Sequence, residues 1–223
     1  MAIEKAELKF EDDLIHKLET LGGVKQWKYE PSIKTTEELW NNFKRILEEN
    51  NQDKLDNPLS VSEFSQVKQI ITNLKTPYEA GQFLYGLNGV SQVEVDLDSG
   101  KHVYLTVFDQ AQIGAGNTRY QVVNQIERDA VIPGFPNRRF DTTLLINGLP
   151  IIQIEEKADY HDVDEALNQM HRYIHEEQYG DIFSTLQILV GMTPHDAKYM
   201  ARTTDEMFNK TFAFQWQHKE DNT

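Results

Sequence analysis

Three acids and a lysine occupy one short stretch of the sequence, Phe140-Asp141-Thr-Thr-Leu-Leu-Ile-Asn-Gly-Leu-Pro-Ile-Ile-Gln-Ile-Glu155-Glu156-Lys157. A single charge enters an apolar strand at Asp141, and three charges cluster at the end of the next strand. A buried carboxylate is costly unless it is paired, protonated or bound to a metal. Asp141, Glu155 and Lys157 at the ends of neighbouring strands therefore read as an oxygen-donor metal site with an ammonium beside it. Such donors suit Mg²⁺ or Mn²⁺, which keep several waters and bridge to phosphate. The plain alternative is a strand-start Asp bonded to local backbone, followed by a solvated strand end.

Register tests the first reading. A two-residue turn at Asn147-Gly148 with an unbroken ladder sets Asp141 opposite Ile154 and turns Glu155 to the other sheet face, because side chains alternate along a strand. One extra residue, in a longer loop or a bulge, sets Asp141 opposite Glu155 and on the same face as Lys157. Pro150, with no N–H to donate, suits an irregular ladder there. A metal site thus requires the longer loop or the bulge, and a clean two-residue turn would count against it.

Asp141, thirteen residues, then Glu155-x-Lys157 is similar to the PD-(D/E)xK nuclease core. The surrounding "RRFDTTLLINGLPIIQIEEK" resembles the nuclease domain of the restriction (R) subunit of type I restriction–modification enzymes. Gln169-x-x-x-Tyr173, starting twelve residues past the lysine, resembles the Gln-x-x-x-Tyr motif of the RecB-like branch. "FEDDLIHKLETLGG" is similar to the family's opening helix and "NTRYQVVNQIE" to the segment before its first catalytic strand. "LQILVGMTPHDAKYMARTT" and "FAFQW" resemble its closing strands. One departure is visible: Arg139-Phe140-Asp141 stands where the family has Arg-Pro-Asp, a change that removes a rigid entry to the strand but no ligand.

The resemblance implies a Mg²⁺- or Mn²⁺-dependent DNA endonuclease with Asp141, Glu155 and Lys157 as catalytic residues. Asp141 and Glu155 would hold the metal, with the Glu156 carbonyl a further ligand, and Lys157 would handle the attacking water. Gln169 and Tyr173, four apart on one helix face, would position the DNA backbone or the site's strand. Glu11 is the family-like position for an accessory metal-site acid, although a single acid on a helix is ordinarily an exposed surface charge. The implied partners are double-stranded DNA and the methyltransferase (M) and specificity (S) subunits. ATP would serve only a helicase-like motor that lies outside this sequence. Cleavage would follow translocation and be non-specific, as no base-reading element is evident. Two other readings remain: a recombination or repair exonuclease domain of the same superfamily, which resects ends stepwise, or a catalytically silent docking domain, which Lys157→Ala would leave unimpaired.

The positioning elements are legible from pattern. Residues Leu8–Leu21 carry apolar positions near a 3.6-residue period, stopped by Gly22-Gly23. Capping boxes at Thr35/Glu38, Ser60/Glu63 and Thr76-Pro77/Glu79 open three more helices, so residues ~30–90 read as mostly helical. Val93–Leu97 and His102–Phe108 flank a hairpin turn. Tyr120–Ile126, Phe140–Ile146, Ile151–Glu155, Leu186–Val190 and Thr211–Trp216 read as further strands, and Val163–His175 as a helix. The expected class is α/β, a mixed central sheet flanked by helices with a helical N-terminal part. In the resemblance this is the PD-(D/E)xK restriction-endonuclease-like fold, as a single endonuclease domain over residues 1–223. The polar Gln217–Thr223 carries no packed element.

Composition narrows the function classes. The chain has 223 residues with 36 acids against 22 Lys and Arg, a net charge of −14. A free-standing nucleic-acid binder ordinarily carries a basic footprint; here positive charge must come from divalent cations or another chain. There is no cysteine, which excludes disulfides and thiolate chemistry. No apolar run reaches the roughly 18 residues of a membrane span, and no signal peptide is evident; a bacterial cytoplasmic location with no membrane contact is expected. There is no phosphate-binding Walker loop and no nucleophile elbow. Gly114-Ala-Gly116 reads as a loop. His171 and His175 read as helix-surface histidines, and Trp27, Trp40 and Trp216 as core or interface residues.

Overall fold

In the computed structural model, residues 2–21, 26–113 and 116–216 are described, with side chains from residue 6 onward. The glycine stop at Gly22-Gly23, most of the 114–116 loop and the polar end 217–223 lie outside them. Helix α1 (Ala2–Thr20) is followed by a short strand β1 (Trp27–Tyr29) and by helices α2 (Thr36–Asn50), α3 (Val61–Thr72) and α4 (Pro77–Tyr85). All three capping boxes form: the Thr35, Ser60 and Thr76 side chains each accept the N–H of the glutamate three residues on, and that glutamate reaches back to the cap. These reciprocal bonds satisfy donors that a helix start leaves unpaired.

Strands β2 (Val90–Asp96) and β3 (His102–Asp109) form the expected hairpin, but as a separate two-stranded ribbon. The main sheet takes β4 (Tyr120–Arg128), β5 (Arg138–Ile146), β6 (Leu149–Glu156), β7 (Ile188–Met192), β8 (Ala197–Ala201) and β9 (Phe214–Gln215). Its order is β1-β4-β5-β6-β7-β8-β9. The β1–β4 and β6–β7 pairs are parallel and the others antiparallel, so the sheet is mixed. Helix α5 (Val163–His175) makes the crossover between β6 and its parallel neighbour β7.

Helices cover both faces. On one, Ile15 of α1 packs with Val122, Leu144 and Ile154. On the other lies the larger core, built from Leu39, Trp40 and Phe43 of α2, Phe64, Val67 and Ile71 of α3, the ribbon, and Leu167, Met170 and Tyr173 of α5 against Val123 and Leu145. The result is a mixed α/β fold with a helix-flanked seven-stranded sheet, as a PD-(D/E)xK-like nuclease has.

Two expectations need correction. Thr211–Trp216 is not a strand of that length: Lys210–Phe212 is a 3₁₀ turn and only Phe214–Gln215 pair, against β8. The alternating aromatics there mimic a strand, yet Phe212, Phe214 and Trp216 are exposed. Trp216 is accordingly no core residue in this chain, whereas Trp40 is buried and Trp27 packs edge-on against Tyr120. Strands β1 and β8, of three and five residues, were too short to register as periodic.

Candidate active site

The β5–β6 hairpin carries the bulge that a metal site requires. Asn147 (φ 50°) and Gly148 (φ 83°) form a two-residue turn, and Ile146 and Leu145 pair with Leu149 and Pro150. Gly148 has no room for a side chain, since a Cβ would lie 2.9 Å from the Phe43 Cα. The ladder then shifts: Leu144 pairs with Ile152, Thr143 with Gln153 and Thr142 with Ile154, leaving Ile151 as the extra residue. Continued one step, this register sets Asp141 beside Glu155.

The acids are brought together and buried. Glu155 has no exposed surface and Glu156 only 2%, while Asp141 and Lys157 are half-buried. Asp141 Oδ2 accepts the Glu156 N–H at 3.0 Å. Burial pushes the Glu155 carboxyl well above the ordinary range, and the Asp141 charge pushes it further. Glu156 is raised likewise, by burial first; a hydrogen bond from the Thr142 hydroxyl (2.7 Å) opposes this, and Asp141 and Glu11 add to it. The second carboxyl oxygen of Glu156 is buried with no partner. Lys157 Nζ donates to the Glu156 carbonyl at 3.0 Å, and its backbone N–H donates to Met192 of β7, so its stem stays at the end of β6 beside the acids.

Helix α5 closes over Glu155. The Gln169 amide donates to Glu155 Oε2 at 2.8 Å and to the Tyr173 hydroxyl at 2.6 Å, and the Gln153 amide donates to Glu155 Oε1 at 3.2 Å. Tyr173 is buried against Phe140, and burial raises its phenol above its usual range, with Glu155 adding to this. Gln169 and Tyr173 are thus tied to the site's own strand.

Glu11 overturns the expectation of an exposed helix charge. It is 3% exposed and its carboxylate accepts from the Asn124 and Gln125 amides. Burial raises its pKa and Asp141 contributes, while the two amides and Lys34 oppose the shift. Its position on the stripe of α1 that carries Leu14, Ile15 and Leu18 was the available signal. Asn124 in turn accepts from the Tyr29 hydroxyl at 2.8 Å and from Lys34 Nζ. Asn124, Gln125, Gln153, Thr142 and Lys34 were not singled out by sequence; isolated polar residues in strands and loops carry no spacing that marks them. His171 and His175 do lie on the helix surface, both bonded at 2.8 Å to Asp205.

The donor set fits a hard divalent cation. Two carboxylates and a peptide carbonyl are crowded in a low-dielectric edge where the acids repel one another, and Lys157 is bonded to the carbonyl rather than to either acid. Among the described residues no three acidic or histidine side chains form a closed cage. Two acids and a carbonyl leave coordination positions for water and phosphate, as Mg²⁺ prefers.

Residues 10–208 match the family described as the type I restriction enzyme R protein N terminus. The chain belongs to this family. It is 30% identical over 219 residues to the endonuclease subunit of the type I restriction enzyme SauMSSORF170P from Staphylococcus aureus, covering 98% of this chain and 22% of that protein. It is 30% identical over 222 residues to the SsaAORF53P endonuclease subunit from Staphylococcus saprophyticus, covering 99% and 22%. With the EcoprrI endonuclease subunit of Escherichia coli it shares 35% identity over 129 residues, 56% of this chain and 39% of that protein. This R-protein N terminus therefore spans about a fifth of the length of the staphylococcal relatives. No described helix is long and apolar enough to cross a membrane.

Proposed function

We propose that this R-protein N terminus is the phosphodiester-hydrolysing part of a type I restriction enzyme, acting on double-stranded DNA with Mg²⁺ or Mn²⁺ as cofactor. The observation that carries this reading is the bulged hairpin, which gives up a residue of ladder to put Asp141 beside Glu155 at buried strand ends with Lys157. Asp141 and Glu155, with the Glu156 carbonyl, hold the cation; bound there, it supplies Lewis acidity toward the scissile phosphate and charge neutralisation that the acidic surface cannot.

The chain's own groups do the rest. Lys157, on a half-buried stem, orients the attacking water and offsets negative charge developing on phosphate oxygens. Gln169 and Gln153 fix the rotamer of Glu155, each donating to one of its oxygens, and Tyr173 backs Gln169. Residues 1–223 act as one endonuclease domain. ATP-driven translocation belongs to the remainder of the longer protein, and cleavage is non-specific in sequence and coupled to assembly with methyltransferase and specificity subunits. The family, the relatives' names as endonuclease subunits and the clustering of the acids support this reading.

The test is calorimetric titration of the chain with Mn²⁺, alongside Asp141→Ala. Binding that disappears in the variant is the expected result; binding unchanged by it, or no binding by the wild-type chain, overturns the assignment. In the complete subunit with its partners, Lys157→Ala should abolish cleavage while ATP hydrolysis persists.

A further inference from the structure

Gln125 breaks a rule of strand geometry. Successive side chains on a strand point to opposite faces, yet Asn124 and Gln125 both donate to the single carboxylate of Glu11 on the α1 face. The backbone makes this possible: Gln125 has φ 54° in the middle of β4, a left-handed conformation that non-glycine residues rarely adopt in a strand. The ladder drops a pair at this point. Asn124 pairs with Thr142 and Ile126 with Phe140, but the Gln125–Asp141 pair between them is missing.

The change of face propagates on both strands. Val122 and Leu144 pack under α1, whereas Ile126 and Phe140, of the same parity, join the larger core on the opposite side. Alternation therefore slips at Gln125 and Asp141 together, beside the acids. The amide is oriented by its partner, because a carboxylate accepts and the nitrogen must face Glu11. That leaves Gln125 Oε1 buried and without a partner. An outlier of this kind is kept when surrounding structure uses it.

We propose that Gln125 is a positioning residue for the cation site: its left-handed backbone brings a second amide to Glu11, locking that carboxylate toward the site of Asp141. This rests on the metal-site reading above and extends it to two side chains, Glu11 and Gln125. Glycine is the informative replacement, since it adopts the same backbone without strain and removes the side chain that reaches Glu11.

Mn²⁺ affinity and the melting temperature in EDTA are measured for wild type, Gln125→Gly, Glu11→Gln and the double variant. Gln125→Gly should melt no lower than wild type, yet bind Mn²⁺ about 10-fold more weakly, as loss of a supporting partner of a metal ligand does. The double variant should bind no worse than Glu11→Gln, because Gln125 acts through Glu11. Wild-type affinity in Gln125→Gly, or additive losses in the double variant, overturns the proposal. Should the glycine variant fail to fold, the Gln125 side-chain NH₂ resonance of the wild-type chain decides. It should shift in Glu11→Gln and broaden at substoichiometric Mn²⁺, and a resonance unmoved by both overturns the proposal. Asp141-dependent Mn²⁺ binding with an indifferent Gln125 sinks this inference alone, whereas absence of Asp141-dependent binding sinks the metal site with it.

Discussion

Replacing Asp141 by asparagine should stabilise the metal-free chain while removing its capacity to bind a divalent cation. The Asp141 charge raises the pKa of Glu155, Glu156 and Glu11, all of them buried, so in the absence of metal it is a source of repulsion. Two unit charges about 5 Å apart repel by roughly 3 kcal/mol at an effective dielectric of about 20. Solvent screening at half-buried Asp141 and the high proton affinity of Glu155 reduce this to about 1–2 kcal/mol. The asparagine keeps the one bond that matters to the backbone, since its carbonyl oxygen still accepts the Glu156 N–H. For a chain of this length about 1 kcal/mol corresponds to roughly 2–4 °C, so Asp141→Asn should melt about 2–8 °C higher in EDTA. Scanning calorimetry with excess Mg²⁺ should then reverse the order. The wild-type chain gains about 2.7 kcal/mol at a hundredfold excess over Kd, and the variant gains nothing. An asparagine variant that melts lower than wild type in EDTA would refute the claim that these acids are held together against their own repulsion.

The same acids set a pH dependence. Glu11, Glu155 and Glu156 have folded pKa values above their unfolded ones, so the native state binds more protons above pH about 4.5, and stability falls as pH rises through their raised values. The raised pKa of exposed His175 acts in the same direction. Melting temperatures in EDTA should therefore decline from about pH 5 to 8, and Asp141→Asn should flatten the decline. Lys157→Ala should lower the EDTA melting temperature by roughly 2–4 °C, because the Lys157 charge offsets that of the buried Glu155 and Glu156. Arg138→Ala removes the partner of Glu176, which is 4% exposed; urea unfolding should show a loss of about 2–4 kcal/mol. Gly148→Ala combines a strained φ with a backbone clash against Phe43, and should lower the urea midpoint by an amount worth about 2–3 kcal/mol.

What could be read from sequence divides along physical lines. Capping boxes are local chemistry, so the starts of α2, α3 and α4 were legible. The hairpin bulge was legible because three charges and a proline restrict the registers open to one turn. Glu11 was misjudged because it was weighed as an isolated charge, although its place on the apolar stripe of α1 already implied burial. The left-handed residue at Gln125 had no local signature, since neither glycine nor asparagine marks it. It follows from the long-range demand of Glu11 for a second donor. The end of the chain misled for the opposite reason: alternating aromatics at Thr211–Trp216 satisfy a strand pattern locally, while only two residues find a ladder.

A hairpin that can be closed in two ways presents the folding chain with a choice. The uninterrupted ladder uses the same turn and the same first two pairs, yet sets Asp141 opposite Ile154 and turns the rest of β6 to the other face. Pro150 faces Leu145 in either register, one residue before the extra Ile151, and its carbonyl accepts from the Thr185 hydroxyl at 2.8 Å. The residues beyond it tell the two apart, since the bulged register keeps Ile152 and Ile154 on the face that α1 covers.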